Sequence, residues 1–159
     1  MSAKHYISRP GYDALTSEVE QLLTVERPRV VNQVAAAAAE GDRSENAEYI
    51  YGKKRLRAID KRVEFLGKRM DVLEVVPQPK NTDRARLLSW ISLEDEAGEV
   101  RVFRVVGADE TDAKLGWISW QSPVGRAVLG RAIDDEVSIQ TPGGGLEYVI
   151  VGIHNESPA

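Results

Sequence analysis

The sequence predicts an α+β protein. Residues 1–80 read as an antiparallel two-helix coiled-coil hairpin, and residues 81–159 as a small antiparallel β-sheet domain with one helix. Three observations carry this. Apolar residues recur at helical spacing through the first half. After the segment Pro77-Gln78-Pro79-Lys80-Asn81 the pattern shifts to short runs of β-branched and aromatic residues. The two helical runs are separated by only a few polar residues, so they must lie antiparallel as neighbours.

The first helix opens at Ser8, a suitable N-cap, with Pro10 and Gly11 in its first turn. Tyr12, Leu15, Val19, Leu22, Val30 and Val34 mark its apolar stripe, and the alanines at 35–39 favour helix strongly. Pro28 removes a backbone donor and is expected to kink or locally interrupt the helix. Gly41 is a natural stop. In the second helix Tyr49, Gly52, Leu56, Ile59, Val63, Leu66, Met70 and Leu73 alternate spacings of three and four, the a/d seam of a coiled coil. Pro77 and Pro79 are expected to end it. A run of about 30 residues at ~1.5 Å each makes a rod roughly 45 Å long.

The second half contains five β-type runs, at 87–93, 100–106, 117–120, 136–139 and 148–153. Glu96-Ala97-Gly98 and Thr141-Pro142-Gly143-Gly144-Gly145 read as turns. Residues 123–129 read as a short helix with Ser122 as N-cap and Pro123 at its first position.

Composition narrows the function. Hydrophobic residues are 42% and charged residues 29% of the chain, which fits a folded soluble protein. With no cysteine, disulfides and thiolate metal sites are excluded. No apolar run reaches the roughly 20 residues of a membrane span, and the N-terminus lacks a signal-peptide core, so a cytosolic, membrane-free protein is expected. His5 and His154 lie near opposite ends and match no zinc or triad spacing. The run of glycines at 143–145 lacks the Gly-Lys-Ser/Thr of a phosphate loop.

The net charge of −4 hides an asymmetry: residues 53–69 carry +6 and the rest carries −10. Lys54, Lys61 and Lys68 recur every seven residues, as do Arg55, Arg62 and Arg69; with Leu56 at a, these are positions f and g. Lys53 and Arg57 extend the stripe. One account is a solvated face whose arginines pair with Glu18, Glu20 or Glu26 on the first helix. The other, preferred because stacked cations repel and surface pairs return only ~0–1 kcal/mol each, is a phosphate backbone lying along the stripe. Sparse aromatics on this face argue against base stacking, so any contact is expected to be sequence-blind.

Between the helices stands the turn Gly41-Asp42-Arg43-Ser44-Glu45-Asn46. Asp42 and Glu45 are three residues apart. That spacing suits a capping box, with Asp42 as N-cap and Glu45 reaching back, or Ser44 as a rival cap. It equally suits two carboxylates that hold a hard divalent cation such as magnesium, weakly alone but well if another molecule supplies further ligands. Ser44 and Asn46 could then orient the acids or a water. Spacing leaves both roles open.

The segment from Gly41 through Tyr49, followed by Lys53-Lys54-Arg55-Leu56-Arg57, resembles the tip and second helix of the bacterial Gre transcript cleavage factors. The Arg43-Ser44 pair and the dense basic stripe resemble the GreB type more than GreA. The resemblance continues through Ser122-Pro123 and Thr141-Pro142-Gly143-Gly144, and spans essentially the whole chain. It implies a second domain of immunophilin-like fold that docks on RNA polymerase, through Gln121, Ser122 and Pro123, while the hairpin enters the secondary channel. Gln121 departs from the Asp or Asn that the family often has there.

The resemblance further implies that Asp42 and Glu45 help to hold a magnesium ion jointly with the polymerase, which then cleaves the 3′ end of backtracked nascent RNA. The stripe of Lys53, Lys54, Arg55, Arg57, Lys61, Arg62, Lys68 and Arg69 would guide that RNA. Such a protein is expected to be a monomer and no enzyme by itself. A regulator that only occupies the channel is the alternative. A prolyl isomerase built on the second domain is disfavoured, because no apolar aromatic pocket is evident in the sequence.

Overall fold

The computed structural model describes residues 5–41 and 45–158. Two compact units emerge: residues 12–73, and a second unit made of residues 1–11 together with 74–159. This division joins residues 5–11 to the later unit.

Residues 12–73 are the helical hairpin. Helix α1 (Arg9–Gln21) is followed by a π-helical stretch, Leu22–Glu26, and then by α2 (Arg27–Ala38). The interruption expected at Pro28 is therefore present, just ahead of the proline. A proline ring displaces the carbonyl four residues back and donates no hydrogen bond, and widening one turn is a way to absorb both effects. Helix α3 (Ala47–Val72) returns alongside. Its d positions, Gly52, Ile59 and Leu66, are the buried ones. With Leu22 and Val30 they form the seam, flanked by Leu15, Val19, Val34, Leu56 and Val63. Gly52 is needed where it stands: a Cβ there would lie 2.5 Å from Val34 Cγ2. Ion pairs lace the helices, among them Arg27 to Asp60 at 2.9 Å, Arg62 to Glu18 at 2.6 Å and Arg55 to Glu26.

Helix α3 ends sooner than the prolines suggest. Leu73 already has φ −79° and ψ 135°, and the strand β2 (Leu73–Val76) pairs with β1 (His5–Ser8). The β-branched pair Val75-Val76 favours extended backbone, and β1 offers it a partner that lies 65 or more residues away in sequence. At the end of β1, Ser8 caps α1 as expected, accepting a hydrogen bond from the Gly11 amide at 3.1 Å. Glu110 in turn accepts from the Ser8 amide at 2.9 Å and from its hydroxyl.

The second unit is built on a five-stranded sheet. Its strands are β3 (Trp90–Asp95), β4 (Val100–Val106), β5 (Trp117–Ser119), β6 (Glu136–Thr141) and β7 (Gly144–His154), in the order β5-β4-β3-β7-β6. The expectation of a wholly antiparallel sheet needs one correction: β5 runs parallel to β4. The 3-10 turns at Ala108–Glu110 and Ala113–Leu115 lie in the connection that reverses the chain for this. Helix α4 (Pro123–Val128) covers a core that includes Ile91, Leu93, Val105, Val128, Val137 and Ile150. Among the described residues of this unit, Arg104 is a buried charge, 7% exposed. Its guanidinium stacks 4.1 Å from the Trp90 ring centroid and 4.6 Å from that of Trp117, and donates to Gln78 Oε1 at 2.8 Å and Leu88 O at 3.3 Å.

Candidate functional site

The tip of the hairpin begins where α2 runs out. Ala39 still has helical angles, and Gly41 takes φ +129°, a conformation that a Cβ would strain. Asp42, Arg43 and Ser44 lie outside the described residues. The chain resumes at Glu45, exposed to solvent, and Asn46 begins the return helix.

Asn46 has a structural task that the sequence reading had divided between Asp42 and Ser44. It is the N-cap of α3: its Oδ1 accepts from the Tyr49 amide at 3.1 Å. Its Nδ2 donates to the carbonyl of Ala37, near the end of α2, at 2.7 Å. One side chain thus satisfies an orphan donor of one helix and a late carbonyl of the other. The capping-box account of the acids is thereby corrected, because the cap position of α3 is already taken. Glu45 precedes that cap, outside the helix. Asn46 was legible as a cap in the sequence, since asparagine is a favoured N-cap; the neighbouring Asp and Ser obscured it.

Among the described residues, no three carboxylate or histidine side chains converge to hold a metal ion. Glu45 is a hard oxygen donor, exposed at a tip. Such a donor fits a hard cation only where a second molecule supplies most of the ligands.

The basic stripe divides into two columns with different occupations. The arginine column faces the first helix. Arg55 is paired with Glu26, and Arg62 forms a two-pronged contact with Glu18 at 2.6 and 3.0 Å. Arg69, half-buried, is engaged as well. The hydrogen bond from Arg62 holds the Glu18 carboxyl below its ordinary value, against the opposing effect of partial burial. Arg55 and Arg62 thus make the pairings with Glu26 and Glu18 that one of the two accounts of the stripe expected. Charge at surface g positions finds the facing helix because the seam brings it within reach.

The lysine column is different. Lys54 and Lys61 are exposed and, among the described residues, lack an ion pair, as do Lys53 and Arg57. Lys68 meets Glu64 one turn earlier at 3.0 Å, with both side chains largely in water. Exposed pairs of that kind are worth ~0–1 kcal/mol and exchange readily for another anion.

In the second unit, Ser122 caps α4, accepting from the Gly125 amide at 3.1 Å and donating to Ser119 O at 2.6 Å. Its hydroxyl is thus used internally. Gln121 and Pro123 on either side are exposed. A cleft of about 270 Å³ on this unit is lined by Glu94, Asp95, Glu96, Glu136, Glu147 and Tyr148, and is acidic where a peptide-isomerising site would be apolar.

Comparison with known proteins bears on the whole chain. Residues 5–75 match the family described as "Transcription elongation factor, N-terminal", and residues 79–155 match "Transcription elongation factor, GreA/GreB, C-term". The chain is 51% identical over 154 residues to the transcription elongation factor GreB of Yersinia pestis, covering 96% of this chain and 90% of that one. It is 52% identical over 145 residues to the GreB of Pasteurella multocida, covering 91% and 92%. A solved structure of the transcription factor Gfh1 aligns over 97% of this chain and 99% of its own, at 24% identity and a TM-score of 0.45. With both halves matched in order and half of all positions shared with full-length relatives, the chain belongs to the GreA/GreB family of transcription elongation factors.

Proposed function

We propose that this chain acts on RNA polymerase as a transcript cleavage factor of the GreB kind, delivering Asp42 and Glu45 to the polymerase active site. The observation that carries this is the tip. Asn46 fills the helix cap, and Glu45 is left exposed beside it with no capping task. Glu45 stands between α2 and α3, at the turn of the hairpin, and Asp42 precedes it by three residues in the sequence.

The residues present suit a shared magnesium ion, because their donors are hard oxygens and the remaining ligands would come from the polymerase. An ion held so would supply charge neutralisation and a more acidic bound water for hydrolysis of the RNA phosphodiester. The chain's own contribution is positional. Asn46 ties the start of α3 to the end of α2, which fixes the backbone that carries Glu45. The lysines at 54, 61 and 68 offer a track for the phosphates of the extruded 3′ segment. Gln121 and Pro123, exposed around the capping Ser122, are the proposed polymerase-docking residues.

The test is RNA shortening in halted, backtracked polymerase complexes. Asp42→Ala and Glu45→Ala are expected to retain the fold and polymerase binding and to lose stimulation of cleavage by at least 100-fold, the scale seen when a group acting on transition-state charge is removed. Full stimulation by either variant would refute the role of the acids. Binding without cleavage by the unaltered protein would leave a regulator that merely occupies the channel.

A further inference from the structure

The outer face of α3 carries a pattern that the lysines alone do not account for. With Leu56 at a, Tyr51, Ala58 and Phe65 all occupy position c. At about 100° per residue this column lies between the arginines of g and the lysines of f. Tyr51 is 71% exposed and Phe65 55% exposed. Neither joins the seam of Leu22, Val30, Ile59 and Leu66. The guanidinium of Arg62, held by Glu18, lies 5.6 Å from the Phe65 ring centroid. Lys54 and Lys61 stand one column further round, exposed.

We propose that Tyr51 and Phe65 are stacking platforms for the bases of single-stranded RNA whose phosphates run along Lys54, Lys61 and Lys68. This rests on the reading of α3 as an RNA guide and adds a second mode of contact to it. Aromatic faces interleaved with cations are what a single strand requires, since each nucleotide presents a flat apolar base and an anionic phosphate. The two rings are fourteen residues apart, about 21 Å along the helix. A stacked strand rising ~3.4 Å per nucleotide would place about six nucleotides in that interval. Ala58, midway, keeps the path between the rings low. The planar Arg62, its charge already balanced by Glu18, widens the Phe65 platform without adding a phosphate ligand. Stacking tolerates any base and favours the larger purine faces, so the proposal carries a modest purine preference where a charge track alone would be sequence-blind.

The experiment uses the full chain with halted polymerase complexes whose extruded 3′ segments are at least eight nucleotides long, homopurine or homopyrimidine. Apparent affinity is read from cleavage rate against protein concentration, at several salt concentrations, with crosslinking of the RNA segment to the protein as a second readout. The double variant Tyr51→Leu/Phe65→Leu is expected to lose about tenfold in affinity on purine segments and less on pyrimidine. Its salt dependence should be unchanged, and the ring-preserving Tyr51→Phe should behave as the unaltered protein. Lys54→Ala/Lys61→Ala should weaken both segment types and flatten the salt slope by between about one and two. If the lysine variant weakens and the leucine variant does not, stacking is overturned while the guide stands. If neither variant changes affinity or crosslinking, the guide fails and the stacking proposal fails with it. A leucine-variant loss equal on both segment types and not spared in Tyr51→Phe would also overturn stacking.

Discussion

Replacing Asn46 by alanine removes two hydrogen bonds at once. Loss of the cap to the Tyr49 amide, 3.1 Å long in the structure, is worth about 1 kcal/mol. Loss of the 2.7 Å bond to Ala37 O adds ~0.5–1.5 kcal/mol, near the middle of that range because the carbonyl still accepts from the Glu40 amide at 3.1 Å. The sum is about 2 kcal/mol, or roughly a 30-fold shift in the local opening equilibrium, since each 1.4 kcal/mol is tenfold. Amide hydrogen exchange reads this directly: the Tyr49 amide and the first turn of α3 should lose protection by about 30-fold, more than amides near Ile59. Asn46→Asp separates the two bonds. Its carboxylate still caps, and suits the helix N-terminus, but it cannot donate to Ala37 O and repels it. It should therefore retain protection at Tyr49 while loosening the end of α2. Cleavage stimulation should fall in both variants far less than in Glu45→Ala, because a frayed tip still samples the productive geometry. Unchanged exchange at Tyr49 in Asn46→Ala would refute the cap assignment, and with it the reasoning that leaves Glu45 without a capping task.

Two further outcomes are expected. Arg104→Ala removes a guanidinium sandwiched between Trp90 and Trp117 and bonded to Gln78, and should destabilise its unit by about 3 kcal/mol, read from the denaturation midpoint by tryptophan fluorescence. Arg104→Lys should recover little, because an ammonium lacks the flat face, and full recovery would show that charge alone matters there. The hairpin should also carry an acid-sensitive component. Glu18 is held below its ordinary 4.5 by the hydrogen bond from Arg62, and Asp60 below 3.8 by that from Arg27. A depressed folded pKa gives stability that is full above the unfolded value and vanishes as pH falls through the folded one. Glu18→Gln should therefore lower stability above about pH 5 by under ~1 kcal/mol, and the difference should shrink toward pH 2. An equal difference at both ends of that range would remove Glu18 from the account.

Much was legible in the residues alone because it is local or periodic. The a/d spacing of α3, the break ahead of Pro28, the Ser8 and Ser122 caps and the five strand positions follow from spacing, propensity and capping chemistry within a few neighbours. The tip motif and the lysine column are likewise written in the chain, as are the aromatic residues at 51 and 65, whose exposure only the folded hairpin decides. Three things depended on residues far apart in sequence. The helix end at Val72 needs β1 as a partner for Leu73–Val76, the parallel placement of β5 needs β4, and the division of the basic stripe needs Glu18 and Glu26 across the seam. A cap is similar when rivals crowd it: Asp42, Ser44 and Asn46 all have the chemistry, and the carbonyl of Ala37 from the other helix selects Asn46. Spacing and side-chain type therefore specify which groups a segment offers, whereas tertiary contact specifies which of them remain unspent. On this hairpin Arg55 and Arg62 pair across to Glu26 and Glu18, whereas Lys53, Lys54, Arg57, Lys61, the rings of Tyr51 and Phe65 and Glu45 stay exposed.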